Sequence, residues 1–314
     1  MRQLKNRFVC ALMASLFAAT QLQAGTLVLS RKFVQDNKDK ATITVQLEVD
    51  EHLTRPHKIG KGGDDGDIHM AGRADEVKLP LVAEILNAGA KNQQSSLQSV
   101  NQSSPDKKIA VTGVFRLWFE HPSPGQMVQG NSVPKPANSN PDHVFEIHPI
   151  TQFGNDSDLL SFAPIENDKK TQKYQPYPAE TAFPKYEALK STLKNNGTAI
   201  SITSTKAGYN YTEFIMELAA KPTQVSDGSL VLATVFDVSD EEEPVVEGLR
   251  RMVFVKGTDP ANAVAKLGKG DRLHVLGIPR VNLSEVLAAA KQGQTISTRL
   301  PYEMIIVAVL PDKD

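Results

Sequence analysis

Leu249–Ile278, LRRMVFVKGTDPANAVAKLGKGDRLHVLGI, holds a strand, a capped helix and a second strand in thirty residues. Leu249 to Lys256 is rich in β-branched and aromatic side chains, the composition of a strand. Asp259-Pro260 opens a helix, because proline fits the first helical turn and an acid favours the positive end of the helix dipole. Gly268 closes it. Asp271 to Ile278 returns to a strand. Upstream, Ala199 to Thr205 and Tyr211 to Ala219 read as one long or broken strand, and Ser229 to Val238 as another. Downstream, Ser284 to Gln292 reads as a short helix between Ser284 and Gly293, and Pro301 to Leu310 as the last strand. Three strands, a helix and two strands is the element order of the OB-fold, a five-stranded Greek-key barrel.

The first half follows the same order. Thr26 to Val34 and Ala41 to Asp50 alternate as strands, with Ile43, Val45, Leu47 and Val49 on one face. Asp67 to Ala71 and Leu79 to Leu86 follow, then the polar stretch Asn92 to Ser104 in the helix position. Lys108 to Glu120 is the strongest strand, with Gly113 marking a bulge. A Pro- and Asn-rich loop separates it from Asp142 to Thr151. Gly154 to Phe183 is poor in apolar residues and reads as a linker. Pro184 to Asn196 reads as a helix with Tyr186, Leu189 and Leu193 on its buried face. The chain is therefore expected to be mainly β: two OB-fold-like five-stranded barrels with short helices, in tandem. Residues 25–153 form the first, 154–183 the linker and 184–314 the second. A pair of immunoglobulin-like sandwiches is the rival, and short capped helices between strands argue against it.

Residues 1–24 have the order of a secretory signal: basic Arg2, Lys5 and Arg7, an apolar run Phe8 to Ala19, then a polar stretch ending at Ala24. The run of 12 residues is short of the roughly 20 that span a bilayer. Cleavage after Ala24 would remove Cys10, the only cysteine, so the mature chain would hold its fold by packing without a disulfide. It would also take Lys plus Arg from 35 to 32 against 36 acids, a net charge of −4. A periplasmic or secreted location follows, with no later membrane span. Nucleic acid is not an expected partner, because an acidic chain has no global attraction for it.

Six of the seven histidines lie in the first half, several beside acids. Asp67 and His69 are two apart on one strand, as are Glu146 and His148, and such residues share a face. An acid and an imidazole on one face can ligate a divalent metal, or the acid can orient the imidazole for proton transfer. Asp67, His69, Glu146 and His148 are the candidate ligands, and a divalent ion is the one candidate cofactor. Glu120, His121 and His143 form a further polar cluster. The competing reading is a set of structural hydrogen bonds, because the spacing matches no His-x-x-x-His or cysteine-based zinc pattern.

In the second half Tyr209 and Tyr211 alternate on one strand, and Arg250, Arg251, Lys256, Arg272 and Arg280 supply charge that an oligonucleotide- or oligosaccharide-binding face would use. The acidic run Asp240 to Glu243 opposes them and reads as a solvated hairpin. Packing is the expected role of Tyr209, Tyr211, Trp118 and His274.

Asp65-Gly66-Asp67-Ile68-His69, Val111-Thr112-Gly113-Val114 and Glu146-Ile147-His148-Pro149 together resemble a signature of small exported bacterial OB-fold-like proteins of unassigned function, over about Thr42 to Thr151. That resemblance implies the barrel and no activity. Asp65-Gly66-Asp67 and Glu84 also resemble the staphylococcal-nuclease family, which would imply a calcium-dependent phosphodiesterase with Arg73 or Arg116 on the phosphate. The functional expectation is an exported protein of the periplasm or cell envelope that binds a small ligand, an oligosaccharide or an envelope protein. The alternative is a metal-dependent hydrolase built on the Asp, His and Glu cluster.

Overall fold

A computed structural model describes residues 24–90, 93–104, 107–159, 162–165 and 174–311. The expected signal segment, up to residue 23, lies outside the described residues.

The first barrel is built from Thr42–His52, Ile68–Arg73, Leu81–Ile85, Lys108–His121 and His143–Phe153. Neighbouring strands pair antiparallel, and the sheet closes where Leu81–Ile85 runs parallel to His143–Phe153, with Val82 opposite Glu146. The helix Gln94–Asn101 falls between the third and fourth strands. The second barrel repeats this circuit with Thr212–Leu218, Gly228–Asp237, Arg250–Val255, Arg272–Val281 and Tyr302–Val309. It closes with Arg250–Val255 parallel to Tyr302–Val309. Its helix Asp259–Val264 has Thr258 as its cap, accepting from the Ala261 amide. Both are closed five-stranded barrels of OB topology, and the chain is mainly β. Gly113 marks a bulge as expected: the register shifts on either side of it, and a Cβ there would lie 2.7 Å from the Pro149 carbonyl oxygen.

A third sheet departs from the expected order. It runs Thr295–Arg299, Lys190–Asn195, Ala199–Thr205, Ala24–Ser30, Gln126–Val128, mixing strands from both halves of the chain. Ala199–Thr205 is thus no continuation of the barrel strand Thr212–Leu218. Tyr209 lies between them at φ 64°, in the left-handed region that breaks a strand. The expected strand Thr26 to Val34 stops at Ser30, whose hydroxyl accepts from the Phe33 amide and caps the helix Arg31–Asn37. The expected helix Pro184 to Asn196 is displaced. The helix is Ala179–Ala188, with Pro184 inside it, and Lys190–Asn195 is a strand burying Ser191, Leu193 and Asn195. Period two in that stretch outweighs the i, i+3, i+7 match. The expected linker 154–183 carries the short strands Asp156–Ser157 and Tyr177–Pro178 and the start of that helix, while 160–161 and 166–173 lie outside the described residues. Asn282, rather than Ser284, caps the helix Leu283–Ala289.

The barrels meet through their outer faces. Val253, Val255, Leu276, Ile278, Ile305 and Val307 of the second pack with Ala41, Leu86 and Val114 of the first half. Arg280, fully buried, lies 2.7 Å from Glu303 and donates to the carbonyls of Lys40, Ala41 and Phe115. Arg280→Ala removes the cation and its donors to those oxygens. It should destabilise the protein by about 3–5 kcal/mol. A urea unfolding midpoint within error of the parent protein would contradict this.

Candidate metal centre

Strand parity places the acids and imidazoles. Ile68, Met70, Leu81, Ala83, Ile85, Phe145 and Ile147 point into the barrel core. The residues between them, His69, Glu84, Glu146 and His148, therefore face outwards. His69 stands opposite Glu84 across the second and third strands, and the parallel closure sets Glu84 beside His148. This wall lies under the second half of the chain, where Tyr211, Asn210 and Pro279 touch it. All four outward residues are buried.

Asp65 and Asp67 enter from the loop before the second strand. Gly66, at φ 74°, makes the turn that lets the Asp67 amide donate to Asp65 Oδ1. The loop folds back so that His57 Nδ1 lies 2.8 Å from Asp67 Oδ1. Tyr174 holds the loop down by donating to the Gly62 carbonyl.

The four expected ligands come together as two pairs, with Glu84 between them. His69 Nε2 is 2.5 Å from Asp67 Oδ2 and 3.6 Å from Glu84 Oε1. His148 Nδ1 touches Glu84 Oε2 and lies 3.8 Å from Glu146 Oε2. Two sets of three can therefore hold an ion: His57, Asp67 and His69; and Glu84, Glu146 and His148, each with donor atoms within 4.8 Å of one another. An ion with bonds of about 2.0–2.2 Å spaces tetrahedral ligands about 3.3–3.6 Å apart. The 3.6 and 3.8 Å separations are near that edge length and too long for hydrogen bonds. His148 Nδ1 is buried and makes a close ion-pair contact with Glu84 Oε2. The residues present fit a divalent ion.

A supporting layer orients them. His148 Nε2 lies 2.5 Å from the Tyr211 hydroxyl, which donates in turn to Asp65. His143 sets Nδ1 against the Pro141 carbonyl and Nε2 3.2 Å from Glu146 Oε1, so both ring nitrogens face acceptors. Arg116 donates to Glu146, to Asn210 and to the Pro279 carbonyl. Glu120 accepts from Asn210, and His121 stacks on His143 with centroids 5.3 Å apart. Glu120, His121 and His143 thus surround Arg116 and Glu146 and supply no ligand set of their own.

Burial penalises each charge here, and the partners decide the outcome. Burial lowers His69, but Glu84 and Asp67 outweigh it and push the imidazole up to about 10. His148, likewise buried, is raised by Glu84 to about 9. Burial would raise Glu146, but Arg116 and His143 bring it to about 2. Glu84 is held well below the usual carboxylate range by His148 and His69 against its burial. Asp65 goes the other way, pushed well up by burial and by Asp67.

The nuclease-like arginines are engaged elsewhere. Arg73 is bound by Asp50 and Glu48, and Arg116 as above, so both are already paired with carboxylates. Arg250, Arg251, Arg272 and Arg280 are each paired with a glutamate. Tyr211 is buried on the cluster, Tyr209 packs on Tyr177, and Trp118 is buried against Tyr186. His274 has both ring nitrogens partnered, by Glu213 and the Pro311 carbonyl. Three surface clefts of about 310, 490 and 420 Å³ open elsewhere, beside Arg73, Thr203 and Pro134, and no residue of the cluster lines them. No helix among the described residues is long and apolar enough to cross a membrane.

Sequence reasoning left His57 and Glu84 out of the ligand set. Glu84 had a signal: it is the one charged residue in the apolar run Leu79 to Leu86, and a buried charge needs a partner. His57 had none, since its approach to Asp67 depends on the fold of the loop.

No family model and no curated protein matches the chain. Among solved structures, a deletion mutant of the single-stranded DNA binding protein from Thermus aquaticus is similar at 12% identity, over 87% of this chain and 94% of that one, with a TM-score of 0.22. A superposition that loose carries no argument, and the OB topology rests on the strand pairings.

The raised imidazoles link the stability of the metal-free protein to pH. A histidine with its folded pKa above the unfolded value of about 6.5 stabilises fully below that value and loses its contribution as pH rises through the folded one. For His69 and His148 the loss runs from about pH 6.5 to their folded values of about 10 and about 9. The Tm of the metal-free protein should fall across that window, and should fall less in His148→Gln. A flat Tm in both would contradict the charged-imidazole assignment.

Proposed function

We propose that this is an exported metal-binding protein whose first barrel carries a divalent transition-metal ion on its outer wall, beneath the second barrel. The observation that carries the reading is the convergence of three buried side chains, Glu84, Glu146 and His148, whose donor atoms lie within 4.8 Å of one another. Imidazole and carboxylate together suit zinc, manganese or iron(II) better than calcium, which favours all-oxygen sites. Export is supported by the basic, apolar and polar order of residues 1–24. The absence of cysteine after residue 10 accords with it, because no ligand in the set is a thiol open to oxidation.

Binding is favoured over hydrolysis. A hydrolytic ion needs an open coordination position beside a substrate cleft. The set around His148 lies under the other barrel, and both arginines proposed for phosphate are engaged.

Zn²⁺ or Mn²⁺ titrated into the mature, chelator-treated protein should bind with release of protons, because neutral imidazole is the ligand. Affinity should therefore rise with pH between 6 and 8. Tyr211→Phe, which loosens His148 without removing a ligand, should weaken binding by about 10–100-fold. Glu84→Gln should weaken it further while far-ultraviolet circular dichroism stays unchanged. Absence of binding heat, together with no metal retained after dialysis, would overturn the proposal and leave a buried ion-pair network.

A further inference from the structure

The two ligand sets are not alternatives. Glu84 belongs to the inner set through Oε2, which touches His148 Nδ1, and reaches the outer set through Oε1, 3.6 Å from His69 Nε2. A carboxylate with one oxygen facing each of two three-ligand sets has the disposition of a bridge. We propose that the cluster takes two divalent ions bridged by Glu84: an inner one on Glu84, Glu146 and His148, and an outer one on His57, Asp67 and His69. This rests on the metal-binding reading and goes beyond it in number, arrangement and exchange.

Charge agrees with two ions. Asp65, Asp67, Glu84 and Glu146 bring four carboxylates to one buried wall, and Arg116 is the one fixed cation among them. One divalent ion and Arg116 balance three of the four; a second ion overshoots the fourth by one charge, which Glu120, 3.5 Å from Arg116, offsets. The donor types agree as well, each set combining imidazole nitrogen with carboxylate oxygen. Loading requires small movements: Asp67 Oδ2, at 2.5 Å from His69 Nε2, opens by roughly 1 Å to reach ligand spacing.

The sets differ in access. The side chains of Glu84, Glu146 and His148 are all at least nine-tenths buried, whereas His57 is 46% exposed on its loop. The outer ion can therefore leave by displacement of His57 alone, while the inner one leaves only if the barrels part or the loop lifts. The outer ion is the exchangeable one, because His57 is its half-exposed ligand.

Mn²⁺ loading of the full mature chain, followed by mass-spectrometric metal counting and electron paramagnetic resonance, tests this. Two ions per chain with an exchange-coupled multiline signal are expected. His57→Ala should retain one ion per chain, with an uncoupled six-line spectrum, and a brief chelator wash of the parent protein should do the same. Two ions without coupling would overturn the Glu84 bridge. One ion in the parent protein would overturn the two-ion centre while leaving the metal-binding reading intact, and none would remove both. His57 is half-exposed, so its variant is expected to fold; an unchanged far-ultraviolet circular dichroism spectrum in the metal-free state checks that.

Discussion

Four carboxylates share one buried wall of the first barrel, and a buried carboxylate must find positive charge or take up a proton. The rest of the site follows from that constraint. Arg116 meets Glu146, the imidazoles of His69 and His148 meet Glu84, and Asp65, with no cation among the described residues closer than His148 Nε2 at 3.7 Å, is pushed towards its neutral form beside Tyr211. The carboxylates raise both imidazoles, so in the metal-free protein these rings supply the positive charge that Arg116 does not. A divalent ion supplies it better, since it can bind the lone pairs of both the imidazole and the acid. The same cluster thus reads as an ion-pair network without metal and as a ligand set with it.

The barrel makes this arrangement possible. In a flat sheet, residues on the second and fifth strands stand far apart. Closure brings Leu81–Ile85 beside His143–Phe153 in parallel register, so that His69, Glu84 and His148 line up across three adjacent strands. Facing the outer wall, they leave the barrel core wholly apolar. The second barrel then removes the wall from water and contributes Tyr211 and Asn210 to it. Arg280 and Arg116 tie the two bodies at this junction by donating to backbone carbonyls across it. Ligand orientation and barrel docking are consequently one problem: whatever loosens the junction also frees His148.

Much of this was legible in the chain. Element order gave both barrels, because alternation of period two and capped helices are local signals. The pairs Asp67–His69 and Glu146–His148 were legible for the same reason, since parity on a strand fixes a shared face. The third sheet was not, because its strands come from both ends of the chain and nothing local says that Ala24–Ser30 pairs with Ala199–Thr205. Lys190–Asn195 was misread because Tyr186, Leu189 and Leu193 satisfy helical spacing while Ser191, Leu193 and Asn195 satisfy strand spacing. Tyr211 read as packing, and it is buried; that it packs on His148, 63 positions away, is a matter of tertiary structure alone.

The composition of the cluster also bears on where such a protein can work. A thiolate site binds zinc tightly but is lost to oxidation outside the cytoplasm. A site of carboxylates and imidazoles has no oxidisable ligand, and it tolerates a chain with no cysteine beyond residue 10. It gains affinity instead by burial, which strengthens every attraction between acid and cation and removes competing water. That strategy needs a second body to cover the wall. Two barrels packed on outer faces, with the acids and imidazoles at the seam, give a ligand set that could hold an ion without any thiol.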